Sequence, residues 1–427
     1  MAKHIDIIKC PQCGSVENTE PKPDFFKCSS CGTEYFLDDD EINNKYTSPI
    51  APETKALAKR KGVFVVIFSV VILLISIVSA LLFNKTVQNT SSSFSSSQYS
   101  WEYESNSFFE TPNKKPVFIV VGTRSTGVYS TAGNKVYAGF YDATNGKEIA
   151  MQEIQMQTNS LDINFRHFEN GDIYFILNKA RLFKVNKQNK SVAEVLADTY
   201  KDLPVLQSGI AIIEFVYEGN GDGFNITTNE GKQLYYYPLI QKTFSKDSFS
   251  DAQEGFKNIP ANTTVRSAFI FSGKSFSSDY SDEKIQLIKY QYKTPIGFPK
   301  NNPSFSWSTD FNSSGSKVLI NKWGLERGRV VSYNDFTPNR LYFEPKVLTF
   351  DDKTVLIAYK NTPVEDSPFS IQLLDANTAK ILWTYSAIDK PYVYTGCKIS
   401  SGYFIDCNIY DLFLDNKGKK IYQFNPE

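Results

Sequence analysis

The chain has 427 residues, enough for roughly two or three domains of ordinary size. It carries 46 Lys and Arg against 46 Asp and Glu, and this zero net charge argues against nucleic acid or an anionic membrane surface as the main partner. Only two histidines, His4 and His167, leave little room for histidine-based catalysis or a multi-histidine metal site. The 33 Phe and 25 Tyr favour strands, on whose pleated surface aromatic rings pack well.

Four cysteines near the start of the chain form two CxxC pairs, Cys10 with Cys13 and Cys28 with Cys31, separated by fourteen residues. Two such pairs supply the four thiolates of a closed tetrahedral site, so one structural Zn²⁺ is predicted. The pattern resembles the zinc-ribbon family, which implies a small zinc-dependent domain over residues 1–45. Redox-active CxxC motifs and four unrelated thiols are the alternatives, but redox motifs normally lie in a βαβ context that is missing here.

The composition of this N-terminal module bears on its partners. Residues 1–50 contain five Lys against nine Asp and Glu, a net charge of −4, whereas phosphate binding needs a basic face. No nucleic-acid partner is therefore expected. Short ribbon strands are predicted at Phe25–Lys27 and Glu34–Leu37, on either side of the second CxxC pair.

An uncharged apolar run of 22 residues follows at Gly62–Phe83. At about 1.5 Å per residue a helix of this length spans the roughly 30 Å hydrocarbon core of a bilayer, so one transmembrane helix is predicted. Four basic residues in the juxtamembrane segment 46–61 precede the run, and only Lys85 follows it closely. Because positive charge stays on the cytoplasmic side, the sequence predicts a single-pass plasma (inner) membrane protein with a cytoplasmic N-terminus and an extracytoplasmic C-terminal domain.

Residues 84–115 are rich in serine and poor in aliphatic side chains, a composition typical of a flexible linker. From residue 116 to residue 427 the sequence predicts short strands of alternating apolar and polar residues, separated by Gly, Asn, Asp and Ser. The clearest predicted strands are Lys135–Tyr141, Asp172–Leu177, Ile210–Tyr217, Lys284–Tyr292, Lys317–Trp323 and Thr354–Tyr359. So many short strands need protected edges, and closure into a β-propeller would protect them. The predicted fold class is therefore mainly β.

A weak repeat within this domain supports closure. A strand, a polar turn with Gly or a small residue, and a return strand opening near Lys recur at Asp142–Ile149, Thr228–Leu234, Asp375–Trp383 and Asp415–Tyr422, with a degenerate copy at Val185–Val192. Glycine fits such turns because they commonly need a residue at positive φ. The spacing is compatible with a unit of about 40 residues, the length of a four-stranded blade. Seven blades are predicted, with six or eight as alternatives.

The repeated turn resembles that of the quinoprotein-like (PQQ-like) propeller family, in which a docking Trp follows the turn. Trp383 is the only Trp in that register here. The resemblance implies a quinone cofactor beside a vicinal Cys-Cys disulfide and a Ca²⁺ site in the family's enzymes. This sequence has no adjacent Cys pair, so no quinone and no catalytic residue is predicted.

The two remaining cysteines, Cys397 and Cys407, lie near the end of the chain. A hairpin with its turn at Ser400–Gly402 would pair Ile399 with Ile405 and set the two cysteines opposite each other. In an oxidising compartment this arrangement favours a disulfide, with two buried reduced thiols as the alternative.

These features predict a non-catalytic binding or scaffold protein of the cell envelope, whose propeller face holds a protein, peptide or glycan partner. Propellers suit this role because many loops converge on one rigid face. A quinoprotein-like enzyme and a transmembrane sensor are the alternatives, and whether the chain is an enzyme stays open.

Overall fold

The computed structural model describes residues 16, 18–22, 25–30, 34–36, 100–125, 134–195, 203–273, 283–310, 315–388, 392–407 and 410–424. These residues are mainly β and form separate antiparallel sheets, with two short α-helices. The N-terminal sheet contains β1 (Asn18–Lys22), β2 (Phe25–Cys28) and β3 (Glu34–Phe36). Strands β2 and β3 coincide with the two ribbon strands predicted around the second CxxC pair.

Three four-stranded sheets follow along the chain. The first sheet contains β4 (Ser100–Glu110), β5 (Pro116–Ser125), β6 (Asn134–Asp142) and β7 (Glu148–Thr158). The second sheet contains β8 (Ile163–His167), β9 (Ile173–Leu177), β10 (Arg181–Asn186) and β11 (Ser191–Glu194). The third sheet contains β12 (Ile210–Phe215), β13 (Phe224–Thr228), β14 (Gln233–Tyr237) and β15 (Lys242–Phe244). Short 3-10 turns at Pro204–Leu206 and Glu218–Asn220 flank β12, and helix α1 (Lys246–Gln253) follows β15.

The fourth sheet differs from its neighbours because it has only three strands, β16 (Arg266–Phe271), β17 (Leu287–Tyr292) and β20 (Val330–Asp335). The chain between β17 and β20 forms the hairpin β18 (Ser308–Asp310) and β19 (Ser316–Val318), followed by helix α2 (Lys322–Arg327). The fifth sheet contains β21 (Phe343–Phe350), β22 (Thr354–Lys360), β23 (Phe369–Asp375) and β24 (Ile381–Ile388). The sixth contains β25 (Val393–Ile399), β26 (Gly402–Cys407), β27 (Asp411–Asp415) and β28 (Lys420–Phe424).

Burial explains which strands are apolar throughout. Strand β9 (IYFIL) is buried at every position, and β22 (TVLIAYK) at all but its first. Strands covered on both faces read as continuous apolar runs, whereas outer strands such as β7 and β28 are largely polar or exposed. Apolar cores lie between the first and second sheets, the second and third, the fourth and fifth, and the fifth and sixth. A further core joins the first sheet to the sixth, where Phe108 stacks on Phe404 with ring centroids 4.2 Å apart.

The prediction of a β-propeller of about seven blades is wrong. The described strands form separate antiparallel sheets, and no closed barrel or propeller is found among them. The repeat count failed because the turn falls between the second and third strands of the third sheet (Thr228 to Gln233) but between the third and fourth strands of the fifth (Asp375 to Ile381). In addition, no apolar core cluster of the described residues joins the third sheet to the fourth.

The repeated turns themselves have the conformation that was predicted. Their small or glycine positions all have positive φ, between 61° and 79°, at Gly146, Gly231, Ala379 and Gly418. The aspartate that opens three of these turns accepts a hydrogen bond from the backbone N–H two residues on, at 2.8–3.0 Å. Such side-chain turns make Asp a preferred residue there. Trp383 donates from Nε1 to the carbonyl of Asn416 at 3.0 Å, so it packs on the corresponding turn of the next sheet.

The predicted membrane anchor needs correction. No helix in the described part of the chain is long and apolar enough to cross a membrane, so the predicted single-pass anchor and the localisation that followed from it are not supported. The run on which they rested, residues 62–83, lies outside the described residues.

The predicted flexible linker, residues 84–115, also needs correction. Its residues 100–110 form strand β4, and Phe108 and Phe109 of this strand are buried. The β domain therefore begins before residue 116.

The predicted Cys397–Cys407 disulfide does not form in this structure, in which both thiols are free. The hairpin has a tighter turn than predicted, because Ile399 pairs with Gly402 and Cys397 with Phe404. This register differs from the predicted one by three residues, and an odd shift moves side chains to the other face. Cys397 accordingly packs in the core shared with the first sheet and Cys407 in the core shared with the fifth.

The same hairpin predicts a large effect of one methyl group. A Cβ on Gly402 would overlap the carbonyl oxygen of Leu414 in the neighbouring strand, which is backbone and has no rotamer to change. We expect Gly402→Ala to lower the free energy of unfolding by about 1–3 kcal/mol in urea denaturation. Gly273→Ala is the control, because its nearest heavy atom lies 3.8 Å from the added Cβ. Equal stabilities of the two variants would contradict this packing.

Candidate functional site

The insertion between β17 and β20 forms a groove lined by two tryptophans, which we call the tryptophan groove. It has a volume of about 650 Å³ and lies between Asn301–Thr309 on one side and Leu319–Gly328 on the other. The segment that leads from β17 into the first side does not extend the sheet, because Pro295, Pro299 and Pro303 each lack the N–H that a ladder would need. Irregular backbone here leaves side chains, rather than strand edges, to line the groove.

Helix α2 positions the first of two tryptophans. The side chain of Asn321 caps the helix by accepting a hydrogen bond from the Gly324 N–H at 2.8 Å. Trp323 is 59% exposed, and the guanidinium of Arg327, one helical turn later, lies 4.8 Å from its ring centroid. Arg327 also pairs with Glu254 at 3.1 Å, so the cation that fixes the ring is itself neutralised.

The hairpin β18–β19 positions the second tryptophan in a similar way. Trp307 immediately precedes β18, and the Lys317 ammonium of β19 lies 4.4 Å from its ring centroid. Lys317 forms an ion pair with Glu283. Both indoles thus have a paired cation over one face, which restrains the rings.

A second cavity, of about 700 Å³, adjoins the groove and is called the inner cavity below. It is lined by strands β16 and β17, by Pro345–Phe350, and by His167, Glu169 and Lys300. The groove and the inner cavity share Asn301, Asn302, Pro303 and Gly328 in their linings, so one depression continues into the other.

Asn301 lies at this junction with an unused donor. Its Nδ2 atom is buried and has no hydrogen-bond partner among the described residues. A buried unpaired amide costs free energy unless a ligand or water accepts from it. Asn301 is therefore the polar group best placed to recognise a ligand that extends from the groove into the inner cavity.

Arg329 supports this junction through hydrogen bonds to backbone carbonyls. It is 1% exposed, and its guanidinium donates to the carbonyls of Gly255 at 2.7 Å, Pro299 at 2.9 Å and Ala252. Burial lowers the pKa of Arg329 to about 10, which still leaves it charged at neutral pH. Its contacts tie helix α1 to the loop that carries Asn301.

One carboxylate of the inner cavity, that of Glu169, is paired with two cations. Glu169 accepts from Lys300 at 3.2 Å and from Arg266 at 3.1 Å. Burial alone would raise the pKa of Glu169, but the two cations lower it below its usual value. The carboxylate thus stays ionised and paired, which does not suit a general acid.

His167 is the group in the inner cavity that most resembles a catalytic one. Its Nε2 lies 2.6 Å from the hydroxyl of Ser107. Desolvation of the ring, together with the charge of Lys187, lowers the pKa of His167 to about 4, so the imidazole is neutral at pH 7, and its tautomer decides whether the ring nitrogen or the serine hydroxyl donates. No carboxylate in the described ranges hydrogen-bonds its other ring nitrogen, so the third member of a catalytic triad is missing there.

Three carboxyl groups form a separate cluster between the first and sixth sheets, which we call the acidic cluster: Glu104, Asp406 and Asp411. Asp411 is 2% exposed and accepts from Asn106 at 2.9 Å. Burial raises the pKa of Glu104 to about 7, that of Asp406 to about 6, and that of Asp411 well above its usual value. None of the three lines the groove or the inner cavity.

The predicted zinc ligands are only partly within the described residues. Cys10, Cys13 and Cys31 lie outside them, whereas Cys28 ends strand β2 and is 1% exposed. The described ranges contain no group of three or more His, Cys, Asp or Glu that could hold a metal ion. A buried thiol at a strand end followed by a turn fits a ribbon ligand, and the zinc site stays a prediction.

Burial raises the pKa of Cys397 to about 11 and that of Cys407 to about 12. Both thiols are therefore protonated at neutral pH and poorly nucleophilic.

No protein-family model matches the chain, and comparison with curated proteins gives no match either. The sequence did not predict the groove residues. Trp323 was expected at the end of a strand, Lys317–Trp323. The structure has β19 only at Ser316–Val318 and then helix α2. One signal in the sequence could have indicated the groove. Two of the four tryptophans lie within 17 residues of each other, next to three closely spaced prolines.

Proposed function

We propose that this protein is a non-catalytic binding protein whose ligand is a neutral glycan held in the tryptophan groove. The observation that carries the proposal is the exposed indole of Trp323 in a groove that has the unpaired amide of Asn301 at its junction with the inner cavity. Ligand sites combine an apolar or aromatic lining with a few placed polar groups, and volumes of about 300–1,000 Å³ are usual.

The chemistry of the lining favours a neutral, hydroxyl-rich ligand. Apart from the tryptophans and aliphatic residues, the groove presents Asn, Ser and Thr, and its single charged residue, Arg327, is already paired. Amides and hydroxyls can each donate to and accept from sugar hydroxyls. The negative faces of indole rings attract the slightly positive C–H face of a pyranose.

The arrangement of carboxyl groups supports binding rather than hydrolysis. Glycoside hydrolysis needs two carboxyl groups on opposite sides of the scissile bond. Among the described residues, no Asp or Glu lines the tryptophan groove, and the acidic cluster lies elsewhere.

The test is a titration of the full chain with neutral gluco-, manno- and chito-oligosaccharides, selected first on a glycan array. We expect saturable quenching of tryptophan fluorescence. We also expect roughly 10- to 100-fold weaker binding for Trp323→Ala, because one exposed aromatic anchor typically carries much of a small interface. Trp383→Phe is the matched control, because Trp383 packs on the turn at Asn416, outside the groove.

Three results would count against the proposal. Binding of oligosaccharides that Trp323→Ala leaves unchanged would place the ligand elsewhere. Capture of peptides, and of no glycan, by the groove would make the ligand a peptide. A product released from any oligosaccharide would make the protein an enzyme.

A further inference from the structure

Three cations of the described residues are buried, and one of them lacks compensation. Lys360 donates to the carboxylate of Glu344 at 2.8 Å, and all three guanidinium nitrogens of Arg329 donate to oxygen atoms. Arg340 is 6% exposed, and only its Nη2 has a partner, the side-chain oxygen of Gln372. Its Nε and Nη1 are buried without any hydrogen-bond partner.

No carboxylate of the described residues pairs with Arg340; the nearest one shown by the contacts, Asp335, accepts from the Thr337 N–H and is itself paired with Lys284. None of the ion pairs in the described part of the chain includes it. The rings of Tyr342 and Tyr359 lie with their centroids 5.0 Å and 5.8 Å from the guanidinium carbon. Aromatic faces attract a cation but do not neutralise it, and a buried charge without a counter-charge is costly.

A further donor lies beside the guanidinium. The hydroxyls of Thr337 and Tyr342 are 2.9 Å apart, and both are buried. Only one of the two protons can lie in that hydrogen bond, so the other hydroxyl can donate elsewhere. The backbone N–H of Arg340 donates to the Thr337 carbonyl at 3.1 Å, which keeps this short connection folded against the guanidinium.

We propose that a small monovalent anion, chloride under ordinary conditions, binds at Arg340 between the fourth and fifth sheets. The anion accepts from the guanidinium N–H groups that lack a protein partner and from the hydroxyl left over by Thr337 and Tyr342. It balances the buried charge, which a water molecule in the same place does not. The surrounding side chains of Thr337, Tyr342 and Gln372 are all buried, so the anion is enclosed by protein and is expected to be small.

The test is thermal and urea unfolding of the full chain in sodium chloride, sodium bromide and sodium gluconate at equal ionic strength. We expect higher midpoints in chloride and bromide than in gluconate. Above the dissociation constant, each tenfold rise in chloride should lower the unfolding equilibrium constant about tenfold, as single-site linkage requires. Chlorine-35 NMR of the folded protein should show line broadening that bromide reverses.

Arg340→Met should remove both the chloride dependence and the broadening, whereas the surface variant Lys135→Met, which loses a cation outside the groove, should keep both. If Arg340→Met does not fold, Arg340→Gln serves instead. Equal midpoints of the unsubstituted protein in the three salts, without line broadening, would overturn the proposal and mean that water alone fills the site. A chloride response that persists in the Arg340 variants would overturn it too.

Discussion

Replacing Arg329 with Met should lower the free energy of unfolding by about 3–5 kcal/mol, because each buried acceptor left without a donor costs about 1–3 kcal/mol. The methionine fills similar volume but leaves the carbonyls of Ala252, Gly255 and Pro299 without a donor. Urea denaturation followed by circular dichroism measures the change. Because Pro299 lies two residues before Asn301, we expect oligosaccharide binding to weaken as well.

Lys135→Met is the control for this experiment. Its side chain is about half exposed and pairs with Glu153 outside the linings of the groove and the inner cavity, where such surface pairs contribute at most about 1 kcal/mol. A loss of less than 1 kcal/mol for Arg329→Met would show that the buried guanidinium does not hold the loop.

The second large effect concerns the acidic cluster and depends on pH. Because the pKa of Glu104 is raised to about 7 in the folded protein, its protonated form is favoured by folding. The resulting contribution to the free energy of unfolding is complete below pH 4.5, the pKa of this group in the unfolded chain. It is lost as the pH rises through about 7, the pKa in the folded protein. Glu104→Gln should therefore leave stability unchanged at pH 4.5 and raise it by about 2 kcal/mol at pH 8, after allowance for partial solvent access.

The stability of each variant must be compared with that of the unsubstituted protein at the same pH, because the titration of His167 changes stability in the opposite direction to that of Glu104. The pKa of His167 is lowered to about 4, so its contribution is present above pH 6.5 and is lost as pH falls toward 4. The pH profile of the unsubstituted protein thus sums two opposed trends. Asp406→Asn should resemble Glu104→Gln, whereas an equal gain at pH 4.5 and pH 8 would contradict the assignment.

Local patterns in the sequence predicted local structure well. Thr354–Tyr359 was predicted as a strand and is β22, because a short and largely apolar run suits a strand buried on both faces. Positive φ at Gly146 and Gly418 followed from the same kind of local reasoning. Lys317–Trp323 failed because the cap at Asn321 and the tertiary contacts of Arg327 favour a helix over the strand that the composition suggested.

The sites depend on contacts that no local pattern encodes. Asp406 and Asp411 face each other across one hairpin, but Glu104 and Asn106 come from a strand about 300 residues earlier. The Cys397–Cys407 pairing failed because a turn shorter than predicted shifts the register by an odd number. The number of repeats could not be counted because the fourth sheet replaces one strand with the segment that builds the tryptophan groove.

The core between the first and sixth sheets has a consequence for folding kinetics. Phe108 and Phe118 are covered by Phe404 and Phe424, which the ribosome adds about 300 residues later. Until those residues exist, the first sheet has an uncovered aromatic face, and surfaces of this kind aggregate. Contacts between residues so distant in sequence also slow folding, since a long loop must close before they form. Refolding yield should therefore be sensitive to protein concentration, and chaperones that shield exposed aromatic surface should raise it.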